Sequence, residues 1–202
     1  MIIDIRGTNG SGKSWVARQL FLAAEGVLVL RGPGITPESQ GQRKPDAIWA
    51  YMLSYQPHFR DKLYVVGRYD GDHGGGCDPV SPLAEVEARV RYLAKFGHVV
   101  FEGVIVSGTF GRFGQVAAEL PYTAVGLTTE LDRCLDNIAL RRRLQGKDPD
   151  AFNRTNPTRK AREVRSALRK FREAGTPTYE TDADGAPALI LNILERSERN
   201  DH

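Results

Sequence analysis

Eight residues near the N-terminus, Gly7-Thr8-Asn9-Gly10-Ser11-Gly12-Lys13-Ser14, constrain this chain more than any other segment. They fit the pattern Gly-x4-Gly-Lys-Ser/Thr, and their context fits as well. Ile2 to Arg6 is a short apolar run that reads as a buried strand. Lys13 to about Glu25 reads as a helix, with Gly26 as its stop signal. Between a strand and a helix, glycines let successive backbone N–H groups turn inward around phosphate oxygens, and the helix adds the positive end of its dipole. The expected ligand is a nucleoside triphosphate. Gly7, Asn9, Gly10, Ser11 and Gly12 should line the cradle. Lys13 should reach the β- and γ-phosphates, and the Ser14 hydroxyl should bind Mg²⁺.

The remaining 188 or so residues must then supply a sheet for that strand. Val27–Leu30, Leu63–Val66, Val99–Phe101 and Ala124–Leu127 read as further strands. Helices are expected after Ser81-Pro82, with the stripe Leu83, Val86, Val90 and Leu93, and after Thr129, with Leu131, Cys134, Leu135 and Ile138. Another should open at Asn156-Pro157, with Ala161, Val164, Leu168 and Phe171 on one face, and a last one should hold Leu189–Leu194. Asp46–Gln56, carrying Trp49, Met52 and Leu53, also reads as a helix. Gly32–Asp46 reads as a loop. Strands alternating with helices argue an α/β fold with a mostly parallel sheet covered on both faces. With 202 residues, one domain is expected over 1–202.

No apolar run is long enough for a membrane-spanning helix, and the N-terminus does not read as a signal peptide. Cys77 and Cys134 make no disulfide framework, so a reducing cytoplasm is the expected location. No protein partner is expected. The net charge of +3 conceals an asymmetry: Arg133–Arg172 holds thirteen Lys and Arg against four Asp and Glu, a net +9, leaving the rest of the chain at −6. Such a segment calls for an anionic partner. Stepping on from Ile138 lands on Arg141 and Arg142, so an apolar face turns cationic where Arg141-Arg142-Arg143 ends the helix. That pattern suits a clamp on triphosphate; resemblance to P-loop kinases that carry such arginines in a lid closing over ATP implies a lid spanning about 141–160, with Gly146–Asn156 as its loop and Arg154 as a second cation. Arg159, Lys160, Arg162, Arg165, Arg169, Lys170 and Arg172 exceed what one lid needs, and hint at a nucleic acid, which carries one charge per phosphate.

Two acidic positions complete the candidate site. Val99–Phe101 delivers Glu102 to the carboxyl edge of the sheet, where it can orient the metal's water shell. After Leu63–Val66 comes a glycine-rich stretch, Gly67 to Asp78, that should emerge at the same edge. Arg68, Tyr69, Asp70, Gly75 and Gly76 are substrate-binding candidates there, as is Arg159. Asp78 is the candidate for accepting a hydroxyl proton, with Asp70 and Asp72 as rivals. His73 and Cys77 are two donors without partners, too few for a metal site.

A small chain with this loop near its start and arginines far downstream looks like a P-loop kinase of the nucleoside and nucleotide kinase group, a three-layer sandwich. More narrowly, the phosphate loop, Gly67–Tyr69, Gly75-Gly76-Cys77-Asp78, Phe101-Glu102-Gly103 and Arg141-Arg142-Arg143 resemble, in that order, the bacteriophage 5-hydroxymethyluracil DNA kinases. The resemblance runs from Met1 to about Gly175. It implies transfer of the ATP γ-phosphate to the base hydroxymethyl group in DNA, a step in thymine hypermodification. Carried over, Lys13 and Ser14 bind ATP–Mg²⁺, and Asp78 and Glu102 are the acidic groups, with Arg141 and Arg142 on the phosphates. The competing expectations are a kinase of free nucleosides or nucleotides, and an NTP-binding, nucleic-acid-associated protein with no acceptor.

Overall fold

The structure, a computed structural model, describes residues 1–37, 47–55, 61–71 and 75–200. Seven strands form one sheet: β1 (Ile2–Arg6), β2 (Gly26–Arg31), β3 (Ile48–Ser54), β4 (Lys62–Val66), β5 (Gly97–Glu102), β6 (Tyr122–Leu127) and β7 (Thr178–Thr181). Their order across the sheet is β2-β3-β4-β5-β1-β6-β7. β1 lies between β5 and β6, parallel to both. β4–β5 and β6–β7 are also parallel, while β2–β3 and β3–β4 are antiparallel.

The helices among the described residues are α1 (Lys13–Ala23), α2 (Leu83–Leu93), α3 (Val104–Ser107), α4 (Gly111–Glu119), α5 (Leu131–Leu144), α6 (Thr155–Glu173) and α7 (Ala186–Asn200). Alternation along the strands sends side chains to opposite faces, and two cores result. Ile2, Val66, Val99, Phe101 and Ala124 pack with Val86 and Val90 of α2, Phe113 of α4 and Leu168 and Phe171 of α6. Ile3, Ile5, Val65, Val100 and Val125 pack with Val16 and Leu20 of α1 and Ile190 and Leu194 of α7. The sheet is therefore the middle of three layers. No described helix is long and apolar enough to cross a membrane.

One expected element is of the other kind. The helix anticipated over Asp46–Gln56 is strand β3; Asp46 and Gln56 themselves lie outside the described residues. β3 is an interior strand with both faces largely covered, so it shows an apolar run with no alternation, and Trp49 with Met52 and Leu53 mimics helical spacing. Its Ile, Trp and Tyr suit a pleated surface. The short helices α3 and α4 and the strand β7 gave no readable pattern. Three helix starts also differ: the N-caps are Pro82, Glu130 and Arg154 instead of Ser81, Thr129 and Asn156, none with a side-chain cap bond. Thr129 spends its hydroxyl elsewhere, donating to the Ser11 carbonyl at 2.9 Å.

Candidate active site

The segments that follow β1, β4, β5, β6 and β7 all emerge at one edge of the sheet. β1 is the switch point there: the chain leaves it for the far edge strand β2 and returns on either side of it as β5 and β6. Ligands bind in such a crevice in open α/β sheets. The cleft at this edge has a volume of about 810 Å³ and draws wall residues from each of those five segments, among them Lys13, Asp78, Glu102, Thr129 and Asp182.

The Gly7–Ser14 loop forms its floor. Gly12 caps α1 in the left-handed region at φ 96°, where a side chain would be strained and a Cβ would stand 2.9 Å from that of Ala183. The first turn of α1 holds no acidic residue, and no side chain caps it. Its N–H groups are thus left for an anion. Asn9 Oδ1 and Ser11 Oγ are buried in the loop without a hydrogen-bond partner among the described residues. Lys13 donates to the Gly7 and Thr8 carbonyls, each at 2.9 Å. Burial pulls its ammonium below the ordinary value, against the attraction of Glu102 and Asp78, while Arg141 pulls the same way as burial.

Glu102 ends β5 with its side chain on the α1 face, opposite Phe101. Ser14 Oγ donates to Glu102 Oε1 at 2.8 Å. Burial pushes the Glu102 carboxyl up to about 7, opposed by the Lys13 charge and the Ser14 bond, with Asp78 adding to the rise. Gly76 makes the close approach possible: a Cβ there would lie 2.2 Å from Glu102 Oε1. Gly76 also bridges back to Arg68 through paired backbone bonds, and the Cys77 N–H donates to the Glu102 carbonyl at 2.8 Å. The glycine-rich stretch is therefore stitched to the end of β5. That stitching sets Asp78 beside α3, where its Oδ1 accepts from the Val104 N–H at 2.7 Å and the Ile105 N–H at 3.2 Å.

α5 lies directly on the loop. A Cβ on Gly10 would meet the Cys134 carbonyl at 2.2 Å and the Ile138 side chain at 3.1 Å, and Asn137 Nδ2 donates to the Gly10 carbonyl at 2.8 Å. With Cys134 and Ile138 seated there, the next turn brings Arg141 to the cleft wall. Beyond the segment that joins α5 to α6, Thr8 Oγ1 donates to the Pro157 carbonyl at 2.8 Å.

The cleft thus gathers Asn9, Gly10, Ser11, Gly12, Lys13, Ser14, Gly75, Asp78, Glu102 and Arg141 from the expected site residues; Gly7 starts the loop and Gly76 backs Glu102. The others stand outside its walls. Arg142 donates to the Asp148 carbonyl in the segment between α5 and α6, Arg154 pairs with Asp150, and Arg159 pairs with Glu163. Arg68 pairs with Asp70 on the surface. Tyr69 is buried with its ring against Phe21 and Tyr51, its hydroxyl 3.5 Å from Glu102 Oε1. Cys77 is buried with its thiol 3.5 Å from the Val66 carbonyl, and Asp72 and His73 lie outside the described residues. Sequence reading missed Trp15, Arg18, Arg133, Asn137 and Asp182–Asp184 as wall residues. Arg18 and Asn137 were reachable, because each lies one helical turn from residues already assigned to the site.

No protein-family model matches the chain. Three phage proteins named 5-hmdU DNA kinase do. The one from Pseudomonas phage PaMx11 is 29% identical over 196 residues, 96% of this chain and 97% of that protein. The one from Delftia phage PhiW-14 is 29% identical over 190 residues, 86% of this chain but 65% of that protein. The one from Bacillus phage SP10 is 26% identical over 194 residues, 90% of this chain and 27% of that protein. This chain therefore spans under two thirds of the latter two relatives. Across nearly its whole length, the chain resembles phage proteins named as 5-hmdU DNA kinases.

Proposed function

We propose that this chain is an ATP-dependent kinase of the P-loop, nucleotide-kinase-like fold, transferring the γ-phosphoryl group to the hydroxymethyl group of 5-hydroxymethyluracil in DNA, in the cytoplasm of an infected cell. The observation that carries the reading is the cleft itself: one crevice holds both the Gly7–Ser14 loop and Asp78, 5-hmdU DNA kinases being the proteins the chain resembles.

The loop N–H groups, the α1 N-terminus and Lys13 hold the triphosphate. Ser14 Oγ and the Glu102 carboxylate are hard oxygen donors at 2.8 Å from each other, a set that fits Mg²⁺. When bound by those two residues, Mg²⁺ supplies charge neutralisation on the β- and γ-phosphates. Arg141 adds a cation from the lid, where charge develops on the transferring group. Asp78 uses Oδ1 to hold the start of α3; its second oxygen, which makes no hydrogen bond among the described residues, takes the proton of the acceptor hydroxyl. The hydroxyl oxygen forms its bond to the γ-phosphorus as the bond to the β,γ-bridging oxygen breaks, and ADP leaves.

The test is label transfer from γ-labelled ATP to 5-hydroxymethyluracil DNA, to ordinary DNA, and to a panel of free nucleosides and nucleotides. Label in the modified DNA alone is expected. Label in a monomer alone overturns the reading, and slow hydrolysis with no labelled acceptor leaves an NTP-binding protein.

A further inference from the structure

A base stacked in a duplex cannot bring its hydroxymethyl group into line with a triphosphate seated in the cleft beside the buried Lys13, so an enzyme acting on it must draw it out of the stack. The gap left behind is costly, and proteins that open base steps often fill them with an apolar side chain held out on a rigid element. The end of β5 presents such a side chain. α3 has four residues: Val104 is partly covered, Val106 and Ser107 are buried, and Ile105 is 54% exposed. Ile105 stands beside the proposed base, because its own N–H donates to Asp78 Oδ1.

The peg is fixed at both ends. Asp78 holds its first two N–H groups. The buried Arg6 guanidinium donates to the Ser107 carbonyl at 3.1 Å and to the Thr109 carbonyl at 3.0 Å. Ser107 Oγ donates to the Gly103 carbonyl and accepts from the Gly7 N–H at 3.3 Å, which ties α3 to the phosphate loop. An isoleucine exposed on a segment this firmly held has no part in either core.

The surroundings suit a phosphate backbone. The N-terminal half of α6 runs beside α3: a Cβ on Gly108 would lie 2.9 Å from Glu163 Oε2 and 3.6 Å from Lys160 Nζ. Arg159 and Lys160 share that single carboxylate, leaving the patch positive. Arg162 and Arg165 follow on the same helix, exposed and in no ion pair among the described residues.

We propose that Ile105 is a positioning residue that enters the base stack of duplex DNA as the acceptor base leaves it for Asp78. This rests on the DNA-kinase reading above. The experiment compares wild type, Ile105→Ala and a control, Phe96→Ala, whose side chain is 55% exposed beyond α2 at the opposite edge of the sheet. Each is assayed on a duplex with one 5-hydroxymethyluracil and on the same strand unpaired, with 2-aminopurine beside the target to report unstacking. For Ile105→Ala, kcat/KM on the duplex should fall about tenfold or more, with a weaker 2-aminopurine signal, and the single strand should change less than about twofold. Phe96→Ala should match wild type on both. Equal losses on both substrates, or no loss on either, overturn the role of Ile105 alone. A wild-type protein that labels no DNA overturns the DNA-kinase reading, and this one with it.

Discussion

Two clusters of buried charge flank β1, and they differ in what completes them. On the α6 side, Asp4 and Arg6 pair at 2.6 Å, Tyr122 donates its hydroxyl to Asp4, and Arg6 stacks 4.5 Å from the Phe171 ring centroid while holding the Ser107 carbonyl at the end of α3 and the Thr109 carbonyl just beyond it. Burial pushes the Asp4 carboxyl up; Arg6 and Tyr122 oppose that shift. On the α1 side, the buried Lys13 and Glu102, with Ser14 and the exposed Asp78 beside them, open onto the cleft. The first cluster is closed by protein and shapes α3. In the second, burial shifts Lys13 down and Glu102 up much as it shifts Asp4, but the shifted groups face an open cleft instead of protein.

If that contrast is right, substitutions on the two sides should fail differently. Asp78→Asn keeps an Oδ1 acceptor for the α3 N–H groups but loses the basic oxygen, so turnover should fall about 10²–10⁴-fold with ATP affinity nearly unchanged; steady-state kinetics and ATP titration check this, and near-wild-type turnover would remove Asp78 as the base. Arg6→Ala leaves Asp4 buried without its cation and should cost about 3–5 kcal/mol of stability, read by urea unfolding.

The open cluster should also carry a pH signature. The folded Glu102 pKa of about 7 lies above its ordinary 4.5. Between those values the folded chain holds a proton that the unfolded chain has released. The associated stability is complete below about pH 4.5 and declines as pH rises through 7, by about 3 kcal/mol. Unfolding of wild type and Glu102→Gln in chelator across that window should give curves that diverge; parallel curves would falsify the assignment. Arg141→Ala should lower kcat about 10- to 100-fold, whereas Arg142→Ala, at a residue bonded to the Asp148 carbonyl, should change it less than about threefold. Smallest of all, Arg169→Ala on the outer face of α6 breaks an exposed pair with Glu173 and should shift stability by less than about 0.5 kcal/mol.

The basic segment shows where sequence reading stops. Its net +9 was plain in the composition, but charge counts do not say which cations face solvent, acid or ligand. In the fold Arg169 pairs with Glu173, and Arg172 with Glu180 of β7, a partner eight residues away. Arg141 alone of the triplet 141–143 reaches the cleft wall, because Cys134 and Ile138 fix the rotation of α5 on Gly10. Tyr69 likewise looked like a ligand contact beside glycines, yet its ring is taken into the core under Glu102.

Local patterns alone determined the Gly7–Ser14 loop, the strand that feeds it, the helix that follows, and Glu102 at a strand end. These are decided by backbone conformation and side-chain periodicity within a few residues. The tertiary structure decided the rest. It made β3 a strand by placing partners on both its edges, seated Gly76 against Glu102, turned Asp78 toward α3 and left Ile105 standing clear. Each of those depends on which surfaces meet across the sheet, and burial and pairing between segments far apart in the chain carry no mark in either segment by itself.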